Sequence, residues 1–390
     1  MNRYIASLLL LLANTYIFAQ PYQVGHISAT FTDSARSNRA VPVEIYYPAD
    51  VAGDNVAFTS AITGNVPSIS FGHGFVMTYD AYFNFRDAIV PQGYIVAFPT
   101  TEGSLSPSHS AFGQDLAFVL RSLSALGNNS ASILYGKVDT MHCVMGHSMG
   151  GGASFLAASG DTTIKAMVTF AAAETTPSAI SAAANIKVPA LVFAGINDCV
   201  SPPATNQQPM YDALGSLCKQ YIGIKGGSHC QMAESSLTCN FGESTCTPAP
   251  AISRTAQHAL IDSFLLTWLD HTLRSSCAAG THFDNMLTTD TNIVAASNCN
   301  LCSTSSVIEV YTGSPIRIYP NPASDKLTID NMPPNKTTLK IFTVTGQLIH
   351  TSAIHQQIEI PVGNYPTGIY IYELSGNATP TINGRFTISK

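Results

Sequence analysis

Six short apolar runs constrain this chain more than any other feature of it: Ser68–Phe71, Tyr94–Phe98, Met141–Met145, Ala166–Phe170, Ala190–Ala194 and Gln220–Ile224. Each is too short for a buried helix and reads as a buried strand. Helix-like stretches lie between several of them, at Ala81–Val90, Gly113–Leu126 and Met149–Ala158. Continuous apolar strands that alternate with helices are buried on both faces, which requires a mostly parallel sheet with helices on either side. Ser253–Leu273 reads as a long closing helix with Ala256, Leu260, Phe264 and Trp268 on one stripe. The expected class from Gln20 to about Ser303 is therefore α/β.

Composition narrows the function classes. Hydrophobic residues make up 45% of the 390, enough for a full core, and only 11% are charged, against about 25% in an average soluble domain. The net charge of −6 offers no basic footprint, so nucleic acid is not an expected partner. No internal apolar run is long enough to span a membrane stably. Nine cysteines in a charge-poor chain point to an oxidising compartment. Residues 1–19 read as a signal peptide, with Arg3 in the positive region, Ile5–Leu12 apolar, and Ala19 before the cut.

The pattern changes near residue 304. A polar linker is expected over 304–315. Beyond it Ile316–Tyr319, Lys326–Ile329, Leu339–Thr343, Gln357–Ile360 and Ile369–Tyr372 alternate at period two, with Gly, Pro and Asn turns between them. Residues 316–390 therefore read as a small all-β sandwich. Residues 20–303 hold 11 basic and 19 acidic side chains, while 304–390 hold 6 and 5. The opposite balance marks an independent unit.

Gly146-His147-Ser148-Met149-Gly150 fits the G-x-S-x-G pattern, and its context gives it weight. An apolar strand runs into it and a helix of small residues follows, which is the setting of a nucleophile elbow. The turn is strained, so side chains two residues before and after the serine must be nearly absent, which Gly146 and Gly150 satisfy, with the Ser148 hydroxyl projecting above the sheet. A serine needs a base, and in this architecture the partners follow in the order serine, acid, histidine. Asp198 comes after the strand ending at Ala194, and His229 after the strand ending at Ile224. Both fall on loops at the same strand ends as Ser148. Asp198 would orient the imidazole and His229 would shuttle the proton. Asp161, Asp212 and His258 fall in or beside helical stretches and are poorer candidates. Gly72-His73-Gly74-Phe75 follows the first of the six strands, so the backbone N–H groups of Phe75 and Met149 are expected to form an oxyanion hole. His147 and His73 are expected to brace the structure rather than act as bases.

Residues 40–275 resemble the α/β-hydrolase family, in its cutinase, polyester-hydrolase and chlorophyllase-like branch. The resemblance is carried by Gly72–Phe75, Gly146–Gly152, Val188–Ala194, Asn197-Asp198 and Gly226-Gly227-Ser228-His229. It implies serine-ester chemistry through an acyl-serine, without cofactor or metal. No segment long enough for a lid lies between the strand ending at Phe170 and the one starting at Ala190, so the expectation is a lidless, monomeric carboxylesterase on short- to medium-chain esters, extending to polyesters. A serine peptidase or amidase on the same fold is the alternative enzyme. A catalytically silent surface-binding protein is the alternative from another class. Polyester-degrading members commonly carry a Trp on the loop after the strand that follows the elbow. Here that loop is Ala173–Ser178, without an aromatic.

The tail resembles the C-terminal sorting domain of type IX secretion cargo, through Ile318-Tyr319-Pro320-Asn321-Pro322, Val344-Thr345-Gly346, Pro366-Thr367-Gly368-Ile369-Tyr370 and Gly384–Lys390. Such domains are found on exported proteins of Bacteroidota. The resemblance implies recognition by that machinery and passage through the periplasm to the surface or the medium.

Cys143 lies in an expected buried strand and reads as a free thiol. The remaining eight cysteines allow 105 pairings. Cys199 follows Asp198 and Cys230 follows His229 directly, and polyester-hydrolase relatives can tie these two loops together. The expectation is a Cys199–Cys230 bridge, with a local Cys239–Cys246 staple as the alternative. Cys299-Asn300-Leu301-Cys302 stands without a second knuckle, so no zinc site is expected.

Overall fold

A computed structural model describes residues 22–302, 317–330, 337–343, 347–354, 357–376 and 379–390. The expected signal peptide, the expected linker and Val344-Thr345-Gly346 lie outside the described residues. The chain divides into two compact units, Met1–Cys302 and Ser303–Lys390.

In the first unit the expected runs fall on six strands: β4 (Val66–Gly72), β5 (Ile95–Pro99), β6 (Val138–His147), β7 (Ile164–Phe170), β8 (Ala190–Gly195) and β9 (Lys219–Ile224). They pair in parallel in the order β9-β8-β7-β6-β4-β5. An antiparallel hairpin of β1 (Gln23–Asp33) and β2 (Arg39–Ala49) extends the β5 edge, and β3 (Gly53–Asp54) closes it. At the other edge β10 (Ile293–Ser297) pairs antiparallel with β9. The sequence reading assigned none of these four edge strands.

Helices cover both faces. They are α1 (Phe83–Ile89), α2 (His109–Asn128), α3 (Met149–Gly160), α4 (Ala179–Ala183), α5 (Gln207–Ala213), α6 (Leu237–Glu243), α7 (Arg254–Arg274) and α8 (Cys277–Thr289). The two cores follow the strand alternation. Val144 and Val192 pack with Leu116, Leu120 and Ala153 on one side, while Met145 and Phe193 pack with Phe85, Phe264 and Trp268 on the other. This double burial is why the strands carry no polar face. The closing helix forms as α7, and its Trp268 indole donates to Gln220 Oε1 at 2.9 Å within the core. Its packed stripe is shifted from the expected one. Gln257, Ile261, Phe264, Leu265 and Trp268 are buried, and Ala256 is exposed. Ser253 caps the helix by accepting from the Ala256 N–H, which leaves Ala256 in the first turn, off the packed face. Among the described residues no helix is long and apolar enough to cross a membrane.

The second unit holds β11 (Arg317–Tyr319), β12 (Lys326–Asp330), β13 (Thr337–Thr343), β14 (Leu348–Ile354), β15 (Ile358–Pro361), β16 (Gly368–Gly376) and β17 (Thr379–Ile388). Two antiparallel sheets, β11-β12-β15 and β14-β13-β16-β17, share a core of Leu327, Ile329, Ile341, Ile360, Tyr370 and Phe386.

Candidate active site

The turn from β6 into α3 sets the site. Ser148 sits at φ 54°, ψ −118°, a region that side chains avoid, and is held there from three directions. Its N–H donates to Phe170 O at 3.0 Å, and its carbonyl accepts from Gly152 N at 3.0 Å and Ala173 N at 2.9 Å. The flanking glycines are required by close approach. A Cβ on Gly146 would lie 2.3 Å from Gly150 O, and one on Gly150 would lie 2.1 Å from Gly72 O. The elbow therefore packs its backbone directly on the end of β4, where the expected oxyanion loop begins. Strain of this kind persists only where surrounding structure over-determines it.

The loops after β8 and β9 bring the other two expected residues together. Asn197 N donates to Gly227 O at 2.8 Å and Ile196 N to Ile224 O at 3.0 Å, so the loops are laced along their backbones. His229 Nδ1 lies 2.7 Å from Asp198 Oδ2, and both side chains are buried. A carboxylate accepts only, so Nδ1 carries the proton and Nε2 is left as the basic nitrogen. Asp198 Oδ1 accepts from the N–H groups of Val200 and Ser201, each at 2.8 Å. Ser148 itself is 9% exposed.

The loop Gly72–Phe75, the expected oxyanion loop, is equally fixed. The Gly74 N–H donates to the Tyr82 hydroxyl at 2.7 Å, and Phe75 stands 50% exposed at the surface. The Phe75 N–H has no hydrogen-bond acceptor among the described residues. Met149 opens α3, where an N–H has no intrahelical acceptor. His73 braces the loop, its ring nitrogens 2.9 Å from Gly74 O and 2.8 Å from Thr101 O. His147 is fully buried and lies 3.0 Å from the Tyr82 hydroxyl and 3.2 Å from His229 O. Burial holds its imidazole well below the ordinary histidine range.

Several members of this network carry no motif and were not found by reading the sequence. Tyr82 joins Gly74 to His147. Gln257, on α7, clamps Ser228 by accepting from its N–H and donating to its carbonyl, each at 2.9 Å. Ser201 and Gln207 lie behind Asp198. Only a polar side chain in a buried neighbourhood could have marked them, and which polar residues of a helix or loop are buried against the site is not visible in the sequence.

The expected Cys199–Cys230 bridge does not form, nor does the Cys239–Cys246 staple. The bridges are Cys199–Cys246, Cys230–Cys239, Cys218–Cys299 and Cys277–Cys302. Asp198 and His229 face each other, and the side chain after each leaves that shared face. Cys199 goes to an exposed bend, while Cys230 is buried at the start of a short turn. Both are instead joined to the segment carrying α6, which also receives a bond from Cys230 N to Glu243 Oε1 at 3.0 Å. Cys143 is free and buried, and burial pushes its thiol up.

The strand order, the flanking helices and the elbow define an α/β-hydrolase. Residues 19–245 match the family model described as PET hydrolase-like, and the chain belongs to that family. Residues 317–389 match the secretion system C-terminal sorting domain, which directs a chain through type IX secretion to the cell surface or the medium. Cutinase 2 of Thermobifida cellulosilytica is 24% identical over 220 residues, 54% of this chain and 79% of its own length. Cutinase cut1 of Thermobifida fusca is 24% identical over 220 residues, covering 54% of this chain and 65% of the relative. Cutinase 1 of Thermobifida cellulosilytica is 28% identical over 189 residues, with shares of 47% and 64%.

Proposed function

We propose that the protein is an exported serine carboxylic-ester hydrolase, active as a monomer on soluble short- and medium-chain esters and more weakly on polyesters. The observation that carries this reading is the buried Asp198–His229 pair at 2.7 Å, on loops that leave the same strand ends as the elbow that holds Ser148 at φ 54°. His229 Nε2 takes the Ser148 proton as Oγ attacks the ester carbonyl carbon. The tetrahedral oxygen receives the N–H groups of Phe75 and Met149, a contribution typically worth ~2.7–4 kcal/mol of barrier. Collapse breaks the bond to the alkoxy oxygen, which leaves with the proton returned by His229. Water then attacks the acyl-serine by the same route and releases the acid. Asp198 holds Nδ1–H throughout and stabilises the imidazolium.

A p-nitrophenyl ester assay on the purified full chain tests this. Ser148→Ala, Asp198→Asn and His229→Ala are each expected to lose orders of magnitude in kcat with unchanged far-UV circular dichroism. A Ser148→Ala variant retaining more than a few per cent of the activity, about 5%, rejects the assignment.

A further inference from the structure

Behind the Asp198–His229 pair lies a second hydroxyl that touches both. Ser201 Oγ is 3.0 Å from Asp198 Oδ2, 3.0 Å from His229 Nδ1, 3.0 Å from Ala171 O and 3.2 Å from Gln207 Nε2. A serine hydroxyl has one proton and two lone pairs. Here two donors, His229 Nδ1–H and the Gln207 amide, meet the lone pairs, and two acceptors, Ala171 O and Asp198 Oδ2, share the proton. The hydroxyl is saturated and has no freedom to turn.

We infer that Ser201, locked by Gln207, is a positioning residue that holds Asp198, His229 and the elbow in register. This inference rests on the hydrolase reading above. The Gln207 amide nitrogen also donates to Ala172 O at 2.6 Å and to Ser201 O at 3.1 Å. Flipping the amide would set its oxygen against those two carbonyls, so the orientation is fixed. The price is a buried Oε1 with no partner among the described residues. Ala171 bends at φ 44° immediately after β7, and Ala173 N supports the Ser148 carbonyl. The Ser201–Gln207 pair therefore grips Ala171 and Ala172 on one side and the Asp198–His229 hydrogen bond on the other. It joins the three loops that the reaction needs at fixed separation. For His229, a second acceptor at Nδ1–H limits rotation of the ring and offers further stabilisation when the imidazolium forms.

The test uses the full chain with Ser201→Ala, Gln207→Leu and the double variant. Ser201→Ala is expected to lower kcat by about tenfold to 100-fold, the scale of small misplacements, with KM unchanged within about twofold. Gln207→Leu is expected to lower kcat less. The double variant should lose less than the product of the two single losses, because Gln207 acts on the Asp198–His229 pair through the Ser201 hydroxyl. The downfield proton resonance of His229 Nδ1–H, assigned by its loss in His229→Ala, should shift in Ser201→Ala. That readout does not depend on turnover, so it remains decisive if the ester assay fails for the parent chain. Full kcat in Ser201→Ala, multiplicative effects in the double variant, or an unmoved resonance would each overturn the inference.

Discussion

His147 stands next to the serine and is fully buried, yet its work is to hold the His229 backbone. Its two partners fix its protonation. The His229 carbonyl needs Nε2–H, so Nδ1 accepts from the Tyr82 hydroxyl and the ring is neutral. Protonation in the folded state is opposed chiefly by burial and then by His229. The consequence for stability has a definite sign. The unfolded chain binds a proton at this residue below the ordinary value of 6.5, whereas the folded chain does so only well below it. Stability should therefore fall as pH drops through 6.5 and keep falling until the folded imidazole protonates. One such proton is worth about 1.4 kcal/mol per pH unit. His147→Gln should be less stable at pH 7 but should lose stability less steeply between pH 7 and 5. Urea unfolding midpoints at pH 7, 6 and 5 measure this, and equal slopes in parent and variant would remove His147 as the linked group.

At the scale of elements, the segment carrying α6 is anchored through the residues that directly follow Asp198 and His229. Cys199–Cys246 closes a separation of 47 residues and Cys230–Cys239 one of 9. Loop-closure entropy assigns about 4 and about 3 kcal/mol to them, so Cys246→Ser should lower the melting temperature more than Cys239→Ser. The reverse order in calorimetry would show that strain or contacts, not chain entropy, dominate. These pairings also mark where the sequence stopped being legible. Strands β4–β9 could be read because each is buried on both faces, and burial leaves a continuous apolar run. Ser148, Asp198 and His229 could be placed because each follows the end of such a strand. The edge hairpin was missed because β1 is only partly buried, and Ile27, Ala29 and Phe31 alternate with polar residues too weakly to stand out. The cysteine pairing and Ser201 depend on which way loop side chains turn after a strand ends, and Tyr82 and Gln257 depend on which helix packs against those loops; no periodicity encodes either.

For the whole molecule, the division into two compact units predicts that the sorting domain and the hydrolase contribute separably. Truncation after Ser303 should leave ester turnover of the purified protein unchanged and stop export in a type IX-competent host. Loss of turnover on truncation would show that the tail supports the catalytic fold. Substrate range is expected to depend on the loops that flank Ser148. Phe75 offers one half-exposed aromatic face. The loop Ala173–Ser178, whose first N–H donates to the Ser148 carbonyl, is tied down by hydrogen bonds instead. The Thr175 hydroxyl donates to Pro177 O at 2.7 Å, Thr176 N donates to His109 Nδ1 at 3.1 Å, and Glu174 N donates to Asn206 Oδ1 at 2.9 Å. No ring on that loop can stack on a bound polymer unit. Stacking is worth only ~0.5–1.5 kcal/mol beyond the area it buries, so on the proposed reading its absence is expected to weaken polyester cleavage by about tenfold at most and to leave small esters untouched. Thr176→Trp keeps the backbone bond to His109 and adds the second face. It should raise the rate on an aromatic polyester film by up to about tenfold, while kcat/KM on p-nitrophenyl butyrate stays within about twofold. A parent chain that already degrades the film as fast, per site, as its best small ester would show that aromatic stacking at this rim does not limit the reaction.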